Sequence, residues 1–473
     1  MLPWDQTLAA LMFVGMIAFL FFGFPVAFSL TFTGLFFGLI GFGLPFFDLL
    51  PLRIWGTMSN STLIAVPLFV FMGVALEKSG LAEELLETMA LLFGRLRGAI
   101  AISVVVVGAI LAASTGIVGA SVITMGLVSL PTMLRRGYDK RLITGTICAA
   151  GTLGQIIPPS IILVLLGDIM GVSVGDLYIG AFLPGFLLVA LYIIYILILA
   201  RWRPELAPPI PREEVAAFQA QAVKRVAIAL APAFTLIVAV LGSIFLGIAS
   251  PTEGAAVGAA GGLILTMLKG RFSMPMLRDV MRTTTRITSL AFIILIGANT
   301  FGLVFRGLNG DRLIQTLLLG LPFGGYGVLA VVMLVIFFLG FFIDFFEICF
   351  IHIPILTPVL VQHFGFNPVW LGVVIGVNLQ TLVSHAPLRL LPLLPPRSRA
   401  ARGHDRRHLP RRGSVHRAPA SRPHLGDRLP GDRLLADPPV QGVRRSKKKA
   451  AGPRMTPPRR SLGSVDQAVI TVK

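Results

Sequence analysis

Apolar stretches, each about 17 to 25 residues long, recur along the first 384 positions and are separated by short polar segments. A helix of that length crosses a hydrocarbon core about 30 Å thick, so the pattern predicts an all-α polytopic membrane protein. Residues 79–95 differ, because leucine and methionine recur there at helical spacing opposite Glu83, Glu84 and Glu87. This segment is predicted to be an amphipathic helix at the membrane interface or against its neighbours.

The apolar segment at residues 142–166 has a centre that a continuous helix cannot accommodate. Residues 151–160 have the sequence GTLGQIIPPS, in which Pro158 and Pro159 are adjacent. Proline has no backbone N–H and its ring clashes with the preceding turn, so the helix is predicted to break here. Inside a membrane, irregular backbone persists only where it is buried in protein or lines a wet cavity.

This predicted break is a candidate ion or substrate site. Gly151, Thr152 and Gln155 precede the proline pair and provide flexible backbone, a hydroxyl and an amide. Discontinuous helices that present free carbonyls near the membrane midplane are typical of such sites in secondary transporters. The alternative is a proline kink that serves helix packing alone.

Small and hydroxylated residues are concentrated just before this segment, between apolar flanks too short for two full spans. They include Ser114, Thr115, Gly116, Gly119, Ser121 and Thr124. We predict a re-entrant hairpin whose tip lies inside the membrane. The alternative is a helix interface built on small residues.

Two acidic residues, Asp344 and Glu347, lie one helical turn apart in the last apolar stretch of the membrane part. Ionisable groups inside a membrane are costly, and by default they indicate function. Asp344 is therefore a candidate for ion binding or gating, and a structural hydrogen-bonding role is the alternative. Glu347 and His352 are also compatible with an interface that supplies polar partners.

Composition supports the membrane class and argues against several others. Hydrophobic residues make up 55% of the 473 positions and charged residues 13%. Cys148 and Cys349 lie in apolar segments, which supports neither a disulfide framework nor a structural metal site. The membrane part has no HExxH, GxSxG or phosphate-loop motif, so an enzyme is not expected.

The two halves of the membrane part show a weak, ordered self-similarity. Residues 129–151 correspond to residues 357–379 without a gap, and this register pairs Gly137 with Gly365. Repeats of this kind, each with a hairpin and a broken helix, form the two halves of a central site in many transporters. We therefore predict inverted structural repeats with two re-entrant hairpins and broken helices.

The repeat and the polar connection between its copies divide the chain into six parts. Residues 269–286 are predicted to form an amphipathic linker, which precedes an apolar span at residues 287–304. The predicted parts are N-terminal scaffold helices (1–76), a first repeat with a hairpin and a broken helix (77–200), a polar connection (201–225), scaffold helices with the linker (226–286), a truncated second repeat (287–381) and a basic low-complexity tail (382–473).

The chain changes character near residue 382. Residues 385–473 contain 21 of the 41 lysines and arginines but 5 of the 22 acidic residues, so the first 384 residues carry +3 of the net charge of +19. The repeat register places a second proline pair at positions 386 and 387, where the chain has Ala386 and Pro387. A shift of one base from residue 382 can restore that pair and, further on, an apolar run at residues 417–430.

We therefore interpret residues 382–473 as a tail that is out of frame and disordered. The alternative is a genuine basic tail that binds anionic lipid or nucleic acid. Under the frame interpretation, the histidines of the tail do not form a metal site and nucleic acid is not a partner.

Residues 80–168 resemble the large membrane subunit of tripartite ATP-independent periplasmic (TRAP) transporters, most specifically over residues 112–168. The sequence GVNLQT at residues 376–381 is similar to the start of the second-repeat motif of that family. In the family this motif continues into a proline pair, which the chain lacks. The resemblance covers most of residues 1–381.

The resemblance implies a multi-pass protein of the bacterial inner membrane that works with a small four-helix membrane subunit and a periplasmic solute-binding protein. It implies uptake of an organic anion, a carboxylate or a sulfonate, by an elevator movement. Na⁺ is the implied coupling ion, with no cofactor. The alternative is a stand-alone sodium- or proton-coupled anion transporter of the same architecture.

Carried onto matching positions, the resemblance implies two sodium and substrate sites. The second depends on the missing proline pair, so an inactive chain is one expected consequence of the tail. The first site is implied near Ser114, Thr115, Gly116, Gly151, Thr152 and Gln155, to which the hairpin pattern adds Ser121 and the break adds Pro158 and Pro159; the second is implied near Asp344, Asn378, Gln380 and Thr381.

The frame interpretation predicts that the gene, read with a one-base shift from codon 382, stays open and encodes a proline pair at the positions of Ala386 and Pro387. The physical reason is that the repeat places a helix break there, as it does at Pro158 and Pro159. The nucleotide sequence of the gene is the measurement, and stop codons soon after the shift would contradict the interpretation.

Overall fold

The computed structural model describes residues 3–115, 118–219, 222–341, 343 and 345–384. Every regular element within these ranges is a helix, which confirms the predicted all-α class. Of the predicted tail at residues 382–473, residues 382–384 belong to the last described helix and residues 385–473 lie outside these ranges, so the interpretation of its reading frame stays a prediction.

The described helices alternate between long spans and short segments. Two π-helical turns, Ile348–His352 and Val359–His363, flank α18, so that Phe345–His363 forms one apolar helical stretch. In chain order the helices are α1 (Trp4–Phe21), α2 (Val26–Phe42), α3 (Leu50–Met58), α4 (Ala65–Lys78), α5 (Leu81–Leu92), α6 (Ala99–Thr115), α7 (Val118–Arg135), α8 (Lys140–Thr152), α9 (Ile161–Met170), α10 (Val174–Trp202), α11 (Arg212–Gln219), α12 (Ala222–Phe245), α13 (Pro251–Leu268), α14 (Met274–Gly307), α15 (Gly310–Leu319), α16 (Gly325–Leu339), α17 (Phe345–Glu347), α18 (Ile353–Pro358) and α19 (Pro368–Ser384).

Five of the described helical stretches are long and apolar enough to cross a membrane. They are α1, α10, most of α12, α14 and the stretch Phe345–His363. A sixth span results if Leu44–Met58 and Thr62–Lys78, which are bent by 57° at a short break, count as one. These helices confirm the prediction of a multi-pass membrane protein.

The predicted amphipathic helix is present as α5. Leu81, Leu85 and Met89 are buried, whereas Glu83 and Glu87 are exposed on the opposite face. The hydrophobic stripe therefore packs against the protein, as the spacing predicts. Its place at the membrane interface stays a prediction.

Most of the predicted amphipathic linker at residues 269–286 belongs to the same helix as the apolar span that follows it. Helix α14 runs without interruption over 34 residues from Met274 to Gly307, so the basic segment and the apolar span are one element. Ser273 caps its start by accepting the N–H of Met276 at 3.2 Å. Neither proline nor glycine interrupts residues 276–296, and the chain has no local reason to leave the helix there.

Helix α8 lies against both arms of the hairpin formed by α6 and α7, at positions where small residues allow close approach. A Cβ atom built on Gly108 of α6 lies 2.6 Å from the Cβ of Ala150 in α8. A Cβ atom built on Gly151 of α8 lies 2.4 Å from Cγ2 of Val122 in α7. Contacts of this kind bring helix backbones together in membrane proteins.

The outer ends of α6 and α7 are joined to the same polar connection. The backbone N–H of Gly98, just before α6, donates to the carbonyl oxygen of Ala207 at 3.1 Å. The N–H of Asp139, just after α7, donates to the carbonyl oxygen of Leu206 at 3.0 Å. Two adjacent residues of the connection therefore hold the two ends of the hairpin together.

The order of elements from α5 to α8 recurs from α15 to α19, as the sequence register predicts. Gly80 (φ 75°) precedes α5, and Asn309 (φ 54°) precedes α15, both in the left-handed region. Gly137 (φ 77°) and Gly365 (φ 70°) precede the last helix region of each copy, and these are the two glycines that the register pairs. A left-handed turn that only glycine adopts without strain thus recurs at equivalent places.

Replacing Gly108 by alanine is expected to lower the melting temperature of the protein in detergent, because the new methyl group must displace α8. Overpacking of this kind costs about 1–3 kcal/mol. Gly145→Ala is the matched control, since a Cβ on that exposed glycine of α8 meets no atom within 4 Å. A melting temperature for Gly108→Ala equal to or above that of Gly145→Ala would contradict the close approach of α6 and α8.

Candidate functional site

The predicted helix break is present in the structure. Helix α8 ends at Thr152, a 3-10 turn covers Leu153–Gln155, and α9 begins at Ile161. The peptide bond between Pro158 and Pro159 is cis. All residues of the break are buried, so its backbone polar groups are removed from bulk solvent.

Ser160 connects the two sides of the break. Its Oγ donates to the carbonyl oxygen of Gln155 at 2.5 Å and accepts the N–H of Leu163 at 3.4 Å, which caps α9. The hydroxyl of Tyr178 in α10 donates to the carbonyl oxygen of Ser160 at 3.3 Å. One serine therefore provides partners for backbone groups on both sides.

Gln155 has a buried side chain without a hydrogen-bond partner. Its exposed fraction is 0%, and neither its amide oxygen nor its amide nitrogen has a partner among the described residues. Leaving such a group unsatisfied costs about 1–3 kcal/mol, so an amide of this kind requires an explanation such as a ligand or an ion. Gln155 follows the C-terminal end of α8, where the free carbonyls and the helix dipole favour a cation.

Helices α19 and α10 enclose the break through small residues. A Cβ atom built on Gly376 of α19 lies 3.1 Å from Cδ1 of Ile156. A Cβ atom built on Gly185 of α10 lies 3.1 Å from Cγ1 of Ile157. The first-repeat break and the second-repeat helix α19 therefore share one interface.

Two amides of the second repeat lie on α19. Asn378 donates from Nδ2 to the carbonyl oxygen of Met333 in α16 at 2.8 Å. Gln380 is fully buried and donates from Nε2 to the hydroxyl of Tyr192 at 3.4 Å, while its Oε1 has no partner among the described residues. Helix α19 contacts the turn that contains Gln155, and each of the two glutamines has a buried amide oxygen without a partner among the described residues.

The other predicted site residues differ in how far the structure describes them. Thr152 is buried and donates to the carbonyl oxygen of Ala149 at 3.0 Å, and Ser121 is buried in α7. Their roles, and those of the remaining residues, stay predictions. Ser114 and Thr115 end α6 and Thr381 lies near the end of α19, all three without described side chains, whereas Gly116 and Asp344 lie outside the described residues.

Glu347 and His352 are both buried in the stretch Phe345–His363. The imidazole ring of His352 packs edge-on against the ring of Phe13, with centroids 5.7 Å apart. Neither of its ring nitrogens has a hydrogen-bond partner among the described residues. His352 is therefore placed at a contact between the second repeat and α1.

A second polar region, which the sequence pattern did not indicate, is a cavity of about 850 Å³ between α3, α9 and α14. The sequence does contain an indication of this region, because LPLRIW and GLVFRG each place an arginine within an otherwise apolar stretch. The periodicity of each helix gives no indication that α3 and α14 meet. The polar residues that line the cavity are Arg53, Thr57, Asn60, Asp168, Asn299 and Arg306.

Comparisons with known proteins agree on one family. The family described as tripartite ATP-independent periplasmic transporter, DctM component, matches residues 13–390. The C4-dicarboxylate TRAP transporter large permease protein DctM of Pseudomonas aeruginosa is 30% identical over 342 residues, which cover 72% of this chain and 78% of the relative. The ectoine/5-hydroxyectoine TRAP transporter large permease protein UehC of Ruegeria pomeroyi is 30% identical over 382 residues, with 78% and 85% covered.

A solved structure supports the fold independently of these sequences. The YdaH transporter of Alcanivorax borkumensis, described as having an unusual topology, matches with a TM-score of 0.51. The match covers 84% of this chain and 90% of that chain at 17% sequence identity. At this identity the likeness concerns the fold alone, and it agrees with an all-α polytopic membrane architecture.

Ser160→Ala is expected to lower the free energy of unfolding by about 1–3 kcal/mol, because it removes a cap and leaves the Gln155 carbonyl without its partner. Ser173→Ala is the matched control, since Ser173 caps α10 at an exposed position by accepting the N–H of Asp176 at 3.3 Å. Unfolding in detergent measures both variants. Equal losses of unfolding free energy in the two variants would mean that the hydrogen bond from Ser160 to the Gln155 carbonyl does not stabilise the protein.

Proposed function

This chain belongs to the DctM component family of tripartite ATP-independent periplasmic transporters, and we propose that it is a sodium-coupled permease that imports an organic anion. Systems of this family combine a large permease with a small membrane subunit and a periplasmic binding protein. We assign this chain to the bacterial inner membrane, where it receives its substrate from that binding protein. Its named relatives are permeases and not enzymes.

The observation that carries the proposal is the unpaired amide of Gln155 inside a buried helix break. A sodium ion requires several oxygen ligands, and broken helices offer backbone carbonyls and C-terminal helix ends without a buried acid. Gln380 offers a second unpaired amide oxygen from the facing helix α19. Binding of Na⁺ would therefore explain why these polar atoms lack protein partners.

The break also offers a place for the anionic group of a substrate. Helix α9 begins at Ile161, directly after the break, and its N-terminus carries the positive end of the helix dipole. Carbonyls at the end of α8 and N–H groups at the start of α9 thus face the same interruption. This arrangement supports coupled binding of a cation and an anion at one site.

The sodium gradient supplies the driving force in this proposal. Each Na⁺ that enters down a membrane potential releases about 2.3 kcal/mol per 100 mV, before its concentration gradient is counted. Two or more ions per substrate would concentrate an organic anion many-fold. The number of ions is measured by the Hill coefficient of the dependence of uptake rate on sodium concentration.

We assign an elevator movement to the part of the protein that contains the break. The hairpin arms, α8, α9 and α19 pack on one another through glycines and other small residues. A body of this kind moves as a unit because its close contacts leave few alternative arrangements. Helices α2, α4, α13 and α14, which pack together, are the proposed scaffold.

The substrate class is an organic acid. The named relatives carry different substrates in their descriptions, C4-dicarboxylates in one and ectoine in another. Both kinds of molecule contain a carboxylate group. We therefore propose a carboxylate or a related anion such as a sulfonate for this chain, with the choice among them made by the binding protein.

Sodium-dependent uptake into vesicles that contain the permease, its small membrane subunit and its binding protein is the test. Gln155→Met is expected to reduce sodium-driven uptake by about tenfold or more, which corresponds to about 1.4 kcal/mol of lost binding. Ser103→Ala is the control, because that buried hydroxyl is already paired with the carbonyl oxygen of Ala99 at 2.7 Å. Uptake that proceeds equally without sodium would refute the proposal.

Thermal unfolding gives a second measurement that does not depend on transport. Sodium at about 100 times its Kd stabilises the binding-competent protein by about 2.7 kcal/mol, and Gln155→Met is expected to lose this effect. Without sodium, the variant is expected to be at least as stable as the original, because a buried unpaired amide has been removed. The frame-corrected chain is measured alongside, and equal transport by both forms would contradict the interpretation of the tail.

A further inference from the structure

The cavity between α3, α9 and α14 carries an excess of positive charge. Arg53 and Arg306 line it, and Asp168 is the one acidic residue among its lining. Neither guanidinium forms an ion pair with any described residue. Arg306 donates from Nε to the carbonyl oxygen of Gly302 in its own helix at 3.2 Å, and its two terminal nitrogens form no described hydrogen bond, although its charge also acts on the carboxyl group of Asp311.

The neutral polar groups of the cavity are held by hydrogen bonds. Asn60 donates from Nδ2 to Oδ1 of Asp168 at 2.8 Å, so the acid already has a donor. Asn299 donates from Nδ2 to Oγ1 of Thr57 at 2.8 Å. These contacts link α3 and the segment after it to α9 and α14. The neutral polar groups of the wall are therefore paired with one another, while the side chains of Arg53 and Arg306 are exposed.

The cavity is connected to the helix break through α9. Ser160 caps the start of this helix, and Asp168 lies near its other end. Eight residues of helix correspond to about 12 Å, so the arginine cavity and the break are separate places on one rigid element. Phe350 and Pro354 of the second repeat also line the cavity.

We propose that this cavity is an entry subsite that binds the carboxylate or sulfonate group of the substrate through Arg53 and Arg306 before the substrate reaches the break. The planar guanidinium matches such groups with paired hydrogen bonds. A volume of about 850 Å³ suits a small organic anion. The assignment deepens the proposed function and rests on it for the nature of the substrate.

Chemical labelling of the full chain in membranes, co-expressed with the small subunit, measures the charge of the cavity. With Cys148 and Cys349 replaced by alanine, Leu303→Cys places a thiol in the cavity wall, and Leu52→Cys is a second position if the first does not fold. The measured quantity is the reaction rate with an anionic methanethiosulfonate reagent divided by the rate with a cationic one. This ratio is expected to be about tenfold higher at the cavity thiol than at a thiol outside the cavity. Equal relative rates inside and outside would overturn the proposal.

Substitution of the arginines identifies the source of this charge. Arg53→Gln and Arg306→Gln are each expected to lower the anion-to-cation rate ratio by about threefold, and the double variant to abolish the preference. Arg53→Lys and Arg306→Lys are expected to retain it. Arg312→Gln is the matched control, because Arg312 follows Arg306 by six residues in the sequence, lies on α15 and does not line the cavity. A ratio that responds equally to Arg312→Gln would contradict the assignment.

Competition with small anions tests binding itself. Succinate and methanesulfonate are the probes, and choline is the cationic control. One or both anions are expected to slow labelling at millimolar concentration in the chain with both arginines and to have no effect in the double glutamine variant. If neither anion protects the thiol and the variants instead weaken capture of the periplasmic protein, the arginines form a docking surface and the proposal fails.

The two proposals fail in different experiments. A cavity that is protected by anions, in a frame-corrected chain whose uptake does not depend on sodium, would refute the proposed function and leave the anion subsite standing. Sodium-driven uptake with an unchanged KM in the double glutamine variant would refute the subsite and leave the proposed function standing. The labelling measurement needs no turnover, so a defect in the tail does not obscure it.

Discussion

A helix that breaks inside an apolar protein must find partners for the backbone groups it frees, and this requirement governs the structure around residues 153–160. Ser160 bridges the break and Tyr178 adds a hydroxyl from α10. Neighbouring helices exclude solvent from every residue of the break. Among the described residues, the amide of Gln155 and the amide oxygen of Gln380 are buried without a partner, and these are where a bound cation would gain oxygen ligands.

Enclosure of the break depends on glycines at helix contacts. Gly108 and Gly151 bring α6, α8 and α7 together, and Gly376 brings α19 against Ile156. A larger side chain at any of these positions would collide with its neighbour and open a gap beside buried polar backbone. The same close contacts join the hairpin and the broken helix into one body, which is the property that an elevator movement needs.

Features that depend on local chemistry were predictable from the sequence, and features that depend on which helices meet were not. Pro158 and Pro159 break a helix wherever it lies, and the Gly137 and Gly365 turns follow from an ungapped register. The predicted linker before residue 287 and the apolar span after it form one helix, α14, because a change from basic to apolar residues does not end a helix at a point without proline or glycine. Arg53 and Arg306 share a cavity only through tertiary packing.

In the proposed mechanism the two polar regions have opposite charge requirements. A sodium ion at Gln155 would be repelled by a guanidinium nearby, whereas an anion approaching the protein is attracted by one. Ser160 at the break and Asp168 in the cavity lie about 12 Å apart along α9, and Coulomb repulsion falls with distance, so arginines at the cavity disturb the ion site less than they would in contact with it. An organic anion released from the arginines would then meet a site whose net charge depends on bound sodium, which makes its onward binding conditional on the coupling ion.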